Sequence, residues 1–284
     1  YYDLTDERSA HINKLKGDLH TVFPQYLDVF CDVTGKTSTM ILRQYGTPDK
    51  ILRGHKKTMI EKISKASRKG LAKASERYEK LCAAANAAKT FGCQIDSIYF
   101  NIFLTLDLVE KLDSALDSIL NRIRQLITFN KNEKFIQQIK LLNTIPGVGF
   151  LTAVTIMCEI GDFSAFRNPK QLFAYFGLDP EVNESGKFVG TQLHMSKRGS
   201  RIARRAIFAV ALASIRTKRN GEGINPYLRK YYELKSGQKP KMVAIGAVMH
   251  KVCNIVFAVL RDEKAFELRS PCLLYTSDAA DDMQ

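Results

Sequence analysis

The residues with the strongest chemical potential lie between positions 184 and 205. Glu184-Ser185-Gly186 is followed by Gly190 and then by Met195-Ser196-Lys197-Arg198-Gly199. A serine hydroxyl is a weak nucleophile until its proton is removed or its attack is assisted electrostatically, and transfer of a phosphoryl group in particular needs cations on the non-bridging oxygens. Lys197, Arg198 and Arg201 could supply them, with Ser185 as the nucleophile. A serine that merely forms a turn is the alternative for the tripeptide alone. Arg201, Arg204 and Arg205 stand at i, i+3 and i+4, one face of a helix, with Ile202, Phe208 and Leu212 expected to pack inward on the other. A solvated basic face is the ordinary reading of such a pattern. Yet from Ser185 to Arg219 nine basic residues, Lys187 among them, meet no Asp or Glu, which favours a surface that binds phosphates.

A second group is Ile145-Pro146-Gly147-Val148-Gly149, which resembles the turn of a helix-hairpin-helix element. Gly147 and Gly149 permit backbone conformations that other residues resist and leave the amides of the next helix's first turn available to a phosphate. Such a contact positions nucleic acid without reading its bases. A structural turn between two packed helices fits the same residues. A base-excision glycosylase would also place an acid after such a hairpin; Asp162 stands thirteen residues beyond Gly149, but no lysine occupies the hairpin.

Charge extends the argument to the whole chain. The 284 residues carry 43 Lys plus Arg against 29 Asp plus Glu, a net charge of +14, which argues for a polyanionic partner. The excess is concentrated in residues 141–261. Apolar stretches such as Phe208–Ile215 and Ile255–Leu260 fall short of the roughly 20 residues a bilayer-spanning helix needs, so the expectation is a soluble protein without a membrane. The six cysteines stand singly, with no C-x-x-C and no paired histidines at ligand spacing. They read as buried reduced thiols, which implies a reducing, cytoplasmic compartment.

The elements that must position these groups are almost all helical. Helices are expected over 4–22, from Thr47-Pro48-Asp49, over 56–65, 71–89, 134–143 and 151–160, from Asn168-Pro169 to Gly177, over 196–216 and 226–235, and from Pro240, as first helical residue, to Leu260. Apolar residues at 98, 102, 106, 109, 112, 116, 119, 123 and 126 recur in steps of three and four, giving either a coiled-coil seam over 98–127 or a long helix packed in a bundle. Residues 180–195 lack helical period, and Val182, Phe188, Val189 and Leu193 suggest a loop or small hairpin. The fold class is mainly α: a helical linker (1–133), a C-terminal domain (134–267) and a tail (268–284) whose abrupt acidic turn over Ser270–Gln284 reads as non-native or disordered sequence. Without an initiator methionine, the N-terminus reads as truncated.

Taken together, Ile145–Gly149, Phe166, Gln171-Leu172-Phe173-Ala174-Tyr175-Phe176-Gly177-Leu178-Asp179-Pro180, Glu184-Ser185-Gly186, Ser196-Lys197-Arg198-Gly199, Arg204-Arg205-Ala206, Gly237–Lys241 and Leu260-Arg261-Asp262 resemble the C-terminal domain of insertion-sequence-110 family transposases. The resemblance implies a recombinase that excises and inserts its own mobile element, guided by a structured RNA pairing with donor and target DNA. It implies that Ser185 attacks a scissile phosphate, leaving a phosphoserine link and a free 3′ hydroxyl. It further implies a coiled coil that pairs protomers into dimers or tetramers, and Mg2+ held by an acidic RuvC-like domain that would precede Tyr1. Asp3, Asp6 and Glu7 read as surface charges, so no metal is expected on this chain, which would bind DNA or RNA without recombining it alone. The alternative is a non-catalytic helix-hairpin-helix module for nucleic acid.

Overall fold

The computed structural model describes residues 1–92, 95–181, 184–185, 188–189 and 195–268. Readings that fall on Lys187, Gly186, Gly190, Val182 and Leu193 lie outside the described residues, as does the tail beyond Leu268. The chain divides into two compact units, Tyr1–Gln125 and Leu126–Gln284.

The first unit is built from α1 (Tyr2–Val22), α2 (Tyr26–Val29), α3 (Lys36–Gln44), α4 (Pro48–Arg53), α5 (Lys56–Ser67), α6 (Leu71–Phe91) and most of α7 (Asp96–Thr128). Pro24 cannot continue α1, and the chain turns there so that Phe23 and Tyr26 both enter the core. Leu15, Leu19, Val22, Ile41, Leu42, Ile51, Met59, Ile63 and Leu81 surround them. Each fully buried aliphatic side chain contributes about 1.5–3 kcal/mol relative to exposure. Tyr26 carries a polar atom into this core and satisfies it: its hydroxyl meets Ser38 Oγ at 2.9 Å and Ser38 O at 3.1 Å. Burial pushes that hydroxyl's pKa up, so it stays protonated. Thr47 caps α4 by accepting from Lys50 N, with Pro48 at the first helical position, as its sequence requires.

The apolar seam of α7 divides in two. Tyr99, Ile102, Leu106 and Val109 are buried, whereas Leu126 is 54% exposed and Leu104 and Leu108 lie open on the opposite face. The N-terminal half is therefore a packed helix of its unit. It is held there by Arg8 to Asp113, by Arg43 to Asp107 and Glu110 at 2.6 and 2.9 Å, and by Asn101 Nδ2 donating to Asp18 at 2.7 Å.

The second unit comprises α8 (Glu133–Leu142), α9 (Phe150–Ile160), a one-turn 3-10 helix (Phe163–Ala165), α10 (Pro169–Tyr175), the antiparallel pair β1 (Glu184–Ser185) and β2 (Phe188–Val189), α11 (Arg201–Ser214), α12 (Pro226–Ser236) and α13 (Lys241–Asp262). The mainly α class and the small hairpin agree with the sequence reading. α13 is the central element, packed on α8, α10, α11 and α12. It buries Ala244, Ile245, Val248, Met249, Val252, Cys253, Val256, Phe257, Val259 and Leu260. By length and composition alone α13 could cross a membrane, contrary to the estimate from short apolar stretches, but it serves here as the core helix of its unit. Pro240 caps α13 and is not its first residue. The thiols are also less uniform than expected: Cys253 is buried, Cys82 half-buried, and Cys31 and Cys158 are exposed.

Candidate nucleic-acid interface and the Ser185 hairpin

The turn between α8 and α9 closes with Val148 N donating to Ile145 O at 2.9 Å. Gly147 adopts φ +97°, and a Cβ there would lie 2.8 Å from Ser214 Oγ and 3.1 Å from Ser214 N. Both the left-handed backbone and the contact exclude a side chain. Ser214 Oγ in turn donates to Pro146 O at 3.0 Å, so Gly147 sits against the end of α11. Gly149 differs. It is the N-cap of α9, no side chain caps that helix, and a Cβ on it would meet nothing within 4 Å. The first amides of α9 thus lack a side-chain cap, the arrangement the helix-hairpin-helix reading requires. Beyond the turn, Thr144 Oγ1 accepts from Phe266 N at 2.8 Å.

Asp162 accepts from Ser164 N at 2.9 Å and Ser164 Oγ at 2.7 Å as the cap of the 3-10 helix. Those bonds hold its carboxyl below the ordinary value. It is engaged as the cap of this helix.

The root of the Ser185 hairpin is a main-chain clamp. Asn168 caps α10 by accepting from Gln171 N, Pro169 begins the helix, and Gly177, at φ +66°, ends it. The chain returns at Met195, fifteen residues after Pro180, and the two form an isolated antiparallel bridge. Ser196 N donates to Asp179 O at 2.8 Å, Ser196 Oγ to Asp179 Oδ1 at 2.6 Å, and Lys197 N to Gly177 O at 3.1 Å. Lys197 is itself left-handed, φ +54°. Here two glycines pass one another without room for a side chain: a Cβ on Gly199 would lie 2.0 Å from Tyr175 O and 2.5 Å from Phe176 C, and one on Gly177 2.4 Å from Gly199 N. Arg204 locks the crossing, its Nη1 donating to Gly199 O at 2.6 Å and to Phe176 O at 3.2 Å. Above this root β1 and β2 pair Glu184 with Val189 and Ser185 with Phe188.

The clamp shortens α11. The expected helix over 196–216 begins only at Arg201, because Ser200 caps it, its Oγ accepting from Ile202 N and Ala203 N at 3.2 and 3.1 Å. Its inward face is Ala203, Ala206, Ile207, Val210, Ala211 and Ser214, whereas Ile202 is 40% exposed and Phe208 and Leu212 are half-buried. Small residues let α11 approach α9 and α13 closely, so the inward face is not the one carrying the larger side chains. Of the predicted basic residues, Lys197, Arg198 and Arg201 are exposed at the start of α11 and Arg205 is half-buried. Arg204 is the exception, turned onto the backbone of the clamp. Sequence reasoning missed the Asp179–Ser196 pair and the Gly177–Gly199 crossing; glycines bracketing the aperiodic stretch were the available signal. Among the described residues no three of His, Cys, Asp and Glu converge.

Comparison with known proteins shows what these features are similar to. Residues 139–233 match the model of the IS116/IS110/IS902 transposase family. The chain is 24% identical, over 95% of its length and 63% of the relative's, to an uncharacterized 43.6 kDa protein of insertion element IS110 from Streptomyces coelicolor. It is 30% identical, over 61% of its length and 51% of the relative's, to a pilin gene-inverting protein of Moraxella bovis. With the transposase of insertion sequence element IS1111A from Coxiella burnetii it shares 26% identity over 64% of its length and 50% of the relative's. The chain thus spans about half to just under two thirds of these relatives. The matched segment, residues 139–233, runs from α8 into α12 and contains the clamp and the Ser185 strand pair, so it is this part of the chain that is similar to the IS116/IS110/IS902 transposase family.

Proposed function

We propose that this chain is the nucleic-acid-binding and serine-bearing part of a DNA transposase that cleaves and exchanges strands. The reading is supported chiefly by one arrangement along the chain: the strand pair carrying Ser185 falls between the two arms of the clamp, and the second arm continues into the exposed run Lys197, Arg198 and Arg201. Ser185 Oγ attacks the scissile phosphorus, the bond from phosphorus to O3′ breaks, and the leaving O3′ takes up a proton. The products are a phosphoserine link and a free 3′ hydroxyl. Lys197, Arg198 and Arg201, with Lys187 and Arg205, neutralise the phosphate oxygens, and the amides after Gly149 add a second contact on the backbone. Magnesium belongs to acidic residues outside this chain. Target choice is delegated to a guide RNA, and the outward stripe of α7, including Leu104, Leu108 and Leu126, pairs protomers. Alone, the chain binds nucleic acid inside the cell and does not recombine it.

The test is Ser185→Ala in the full-length protein reconstituted with its element ends. Loss of the covalent protein–DNA adduct with binding retained supports the assignment. Recombination at the wild-type rate would sink it.

A further inference from the structure

Tyr175 is unusual among the residues around the clamp. It is the last residue of α10, in the basic unit of the molecule, and its large side chain is 49% exposed. It is nonetheless firmly placed. Phe166 meets its ring edge-on at 5.1 Å and 71°, and Phe176, itself fully buried, lies 6.0 Å away. Its carbonyl lies against Gly199, so its backbone adjoins the segment that carries the exposed Lys197 and Arg198. Among the described residues its hydroxyl has no hydrogen-bond partner. Packing within the unit therefore leaves about half of this side chain to solvent, on a residue whose backbone borders the segment carrying Lys197 and Arg198. Phe100 and Phe129, more exposed still, belong to the α7 segment and its end.

We propose that Tyr175 is a stacking platform for an unpaired nucleobase. The proposal rests on the reading of Lys197, Arg198 and Arg201 as phosphate contacts and adds to it a chemistry that a phosphate track lacks, recognition of a base that has left the duplex. Every nucleobase presents a π-face, so stacking tolerates any sequence while discriminating single strands from duplex. An aromatic ring with two rotatable bonds, already braced by Phe166 and Phe176, loses little freedom on binding. Strand exchange requires unpaired nucleotides next to the cut, and the clamp holds the tyrosine at the root of the hairpin that carries Ser185. Its backbone position is fixed by the same crossing that fixes the hairpin.

The experiment titrates this 284-residue chain into single-stranded DNA, single-stranded RNA and duplex DNA, each carrying one 2-aminopurine, at two salt concentrations. The wild type is expected to quench the single-stranded probes. Tyr175→Ala is expected to weaken single-strand binding roughly tenfold and abolish the quench while duplex affinity is unchanged. Tyr175→Phe behaves as wild type, and Tyr175→Leu, which keeps bulk without a π-face, behaves as the alanine variant. The DNA and RNA arms show which strand supplies the base. Equal single-strand affinity and quenching in wild type and Tyr175→Ala, with salt-dependent binding intact, overturns the stacking role and leaves the phosphate face standing. Absence of salt-dependent binding by the wild type to any probe overturns the phosphate face and the stacking role with it.

Discussion

Replacing Arg204 by alanine separates two roles that the sequence alone assigns alike to every arginine of α11. One nitrogen of its guanidinium donates to both Gly199 O and Phe176 O, at 2.6 and 3.2 Å. Hydrogen bonds from a charged donor are worth about 1.5–3 kcal/mol each, and the carbonyls left behind bear a desolvation cost. The longer bond sits at the weak end of that range, and water can refill the half-buried Gly199 carbonyl but not reach fully buried Phe176. Together these give a loss of about 2–3 kcal/mol for Arg204→Ala. In a unit of this size that corresponds to a fall of roughly 4–12 °C in Tm. Arg204→Lys keeps the charge without the planar fork and recovers only part of it. Arg198→Ala, on an exposed residue, changes stability by less than about 0.5 kcal/mol. Binding to duplex DNA shows the opposite pattern: Arg198→Ala lowers the slope of log K against log salt by about 1, and Arg204→Ala leaves it unaltered. Thermal unfolding followed by circular dichroism, with fluorescence titrations at several salt concentrations, measures both. An Arg204→Ala protein as stable as wild type but with a reduced salt slope would refute the clamp and return Arg204 to the phosphate face.

Gly199→Ala is expected to be the more damaging change, because its Cβ would meet main-chain atoms at 2.0 and 2.5 Å and backbone cannot swing aside; a loss above about 3 kcal/mol would appear as a broadened or missing unfolding transition, and a normal Tm would show that the crossing is looser than described. Asp162 gives a pH signature: its carboxyl is held below the ordinary value by Ser164, so its contribution is complete above the unfolded carboxylate pKa and disappears as pH falls through the lowered folded one. Urea unfolding of Asp162→Ala should therefore fall below wild type near neutrality and coincide with it in strong acid, and a constant gap across pH would contradict the assignment.

Helix boundaries marked by local chemistry were legible in the sequence. Thr47-Pro48, Asn168-Pro169 and Gly177 each carry their reason within four residues, and each stands where expected. The start of α11 was not, since Ser196 and Ser200 are equally good caps on paper. The choice is made by Asp179, seventeen residues away, which takes Ser196 into the clamp. The inward face of α11 was misread for a related reason: hydrophobic patterning rewards Ile202, Phe208 and Leu212, whereas close packing against α9 and α13 selects Ala203, Ala206 and Ala211. Arg204 could not be told from Arg201 or Arg205 because its partners, a pair of carbonyls, leave no trace in side-chain composition. Ser185 was legible as a candidate only through a resemblance, its tripeptide being compatible with any turn. The apolar seam of α7 reads as one stripe, but burial along it fades, with Ile102, Leu106, Val109 and Leu116 buried and Leu126 exposed.

The crossing of Gly177 and Gly199 makes the segment from Pro180 to Met195 an interchangeable cassette. Its two ends are joined to the body by main-chain contacts and by Asp179, Ser196 and Arg204, all of which lie outside it. Because these contacts belong to residues outside the segment, grafting a relative's segment between Asp179 and Ser196 is expected to leave them in place, which would make diversification of the loop and preservation of its seat separable.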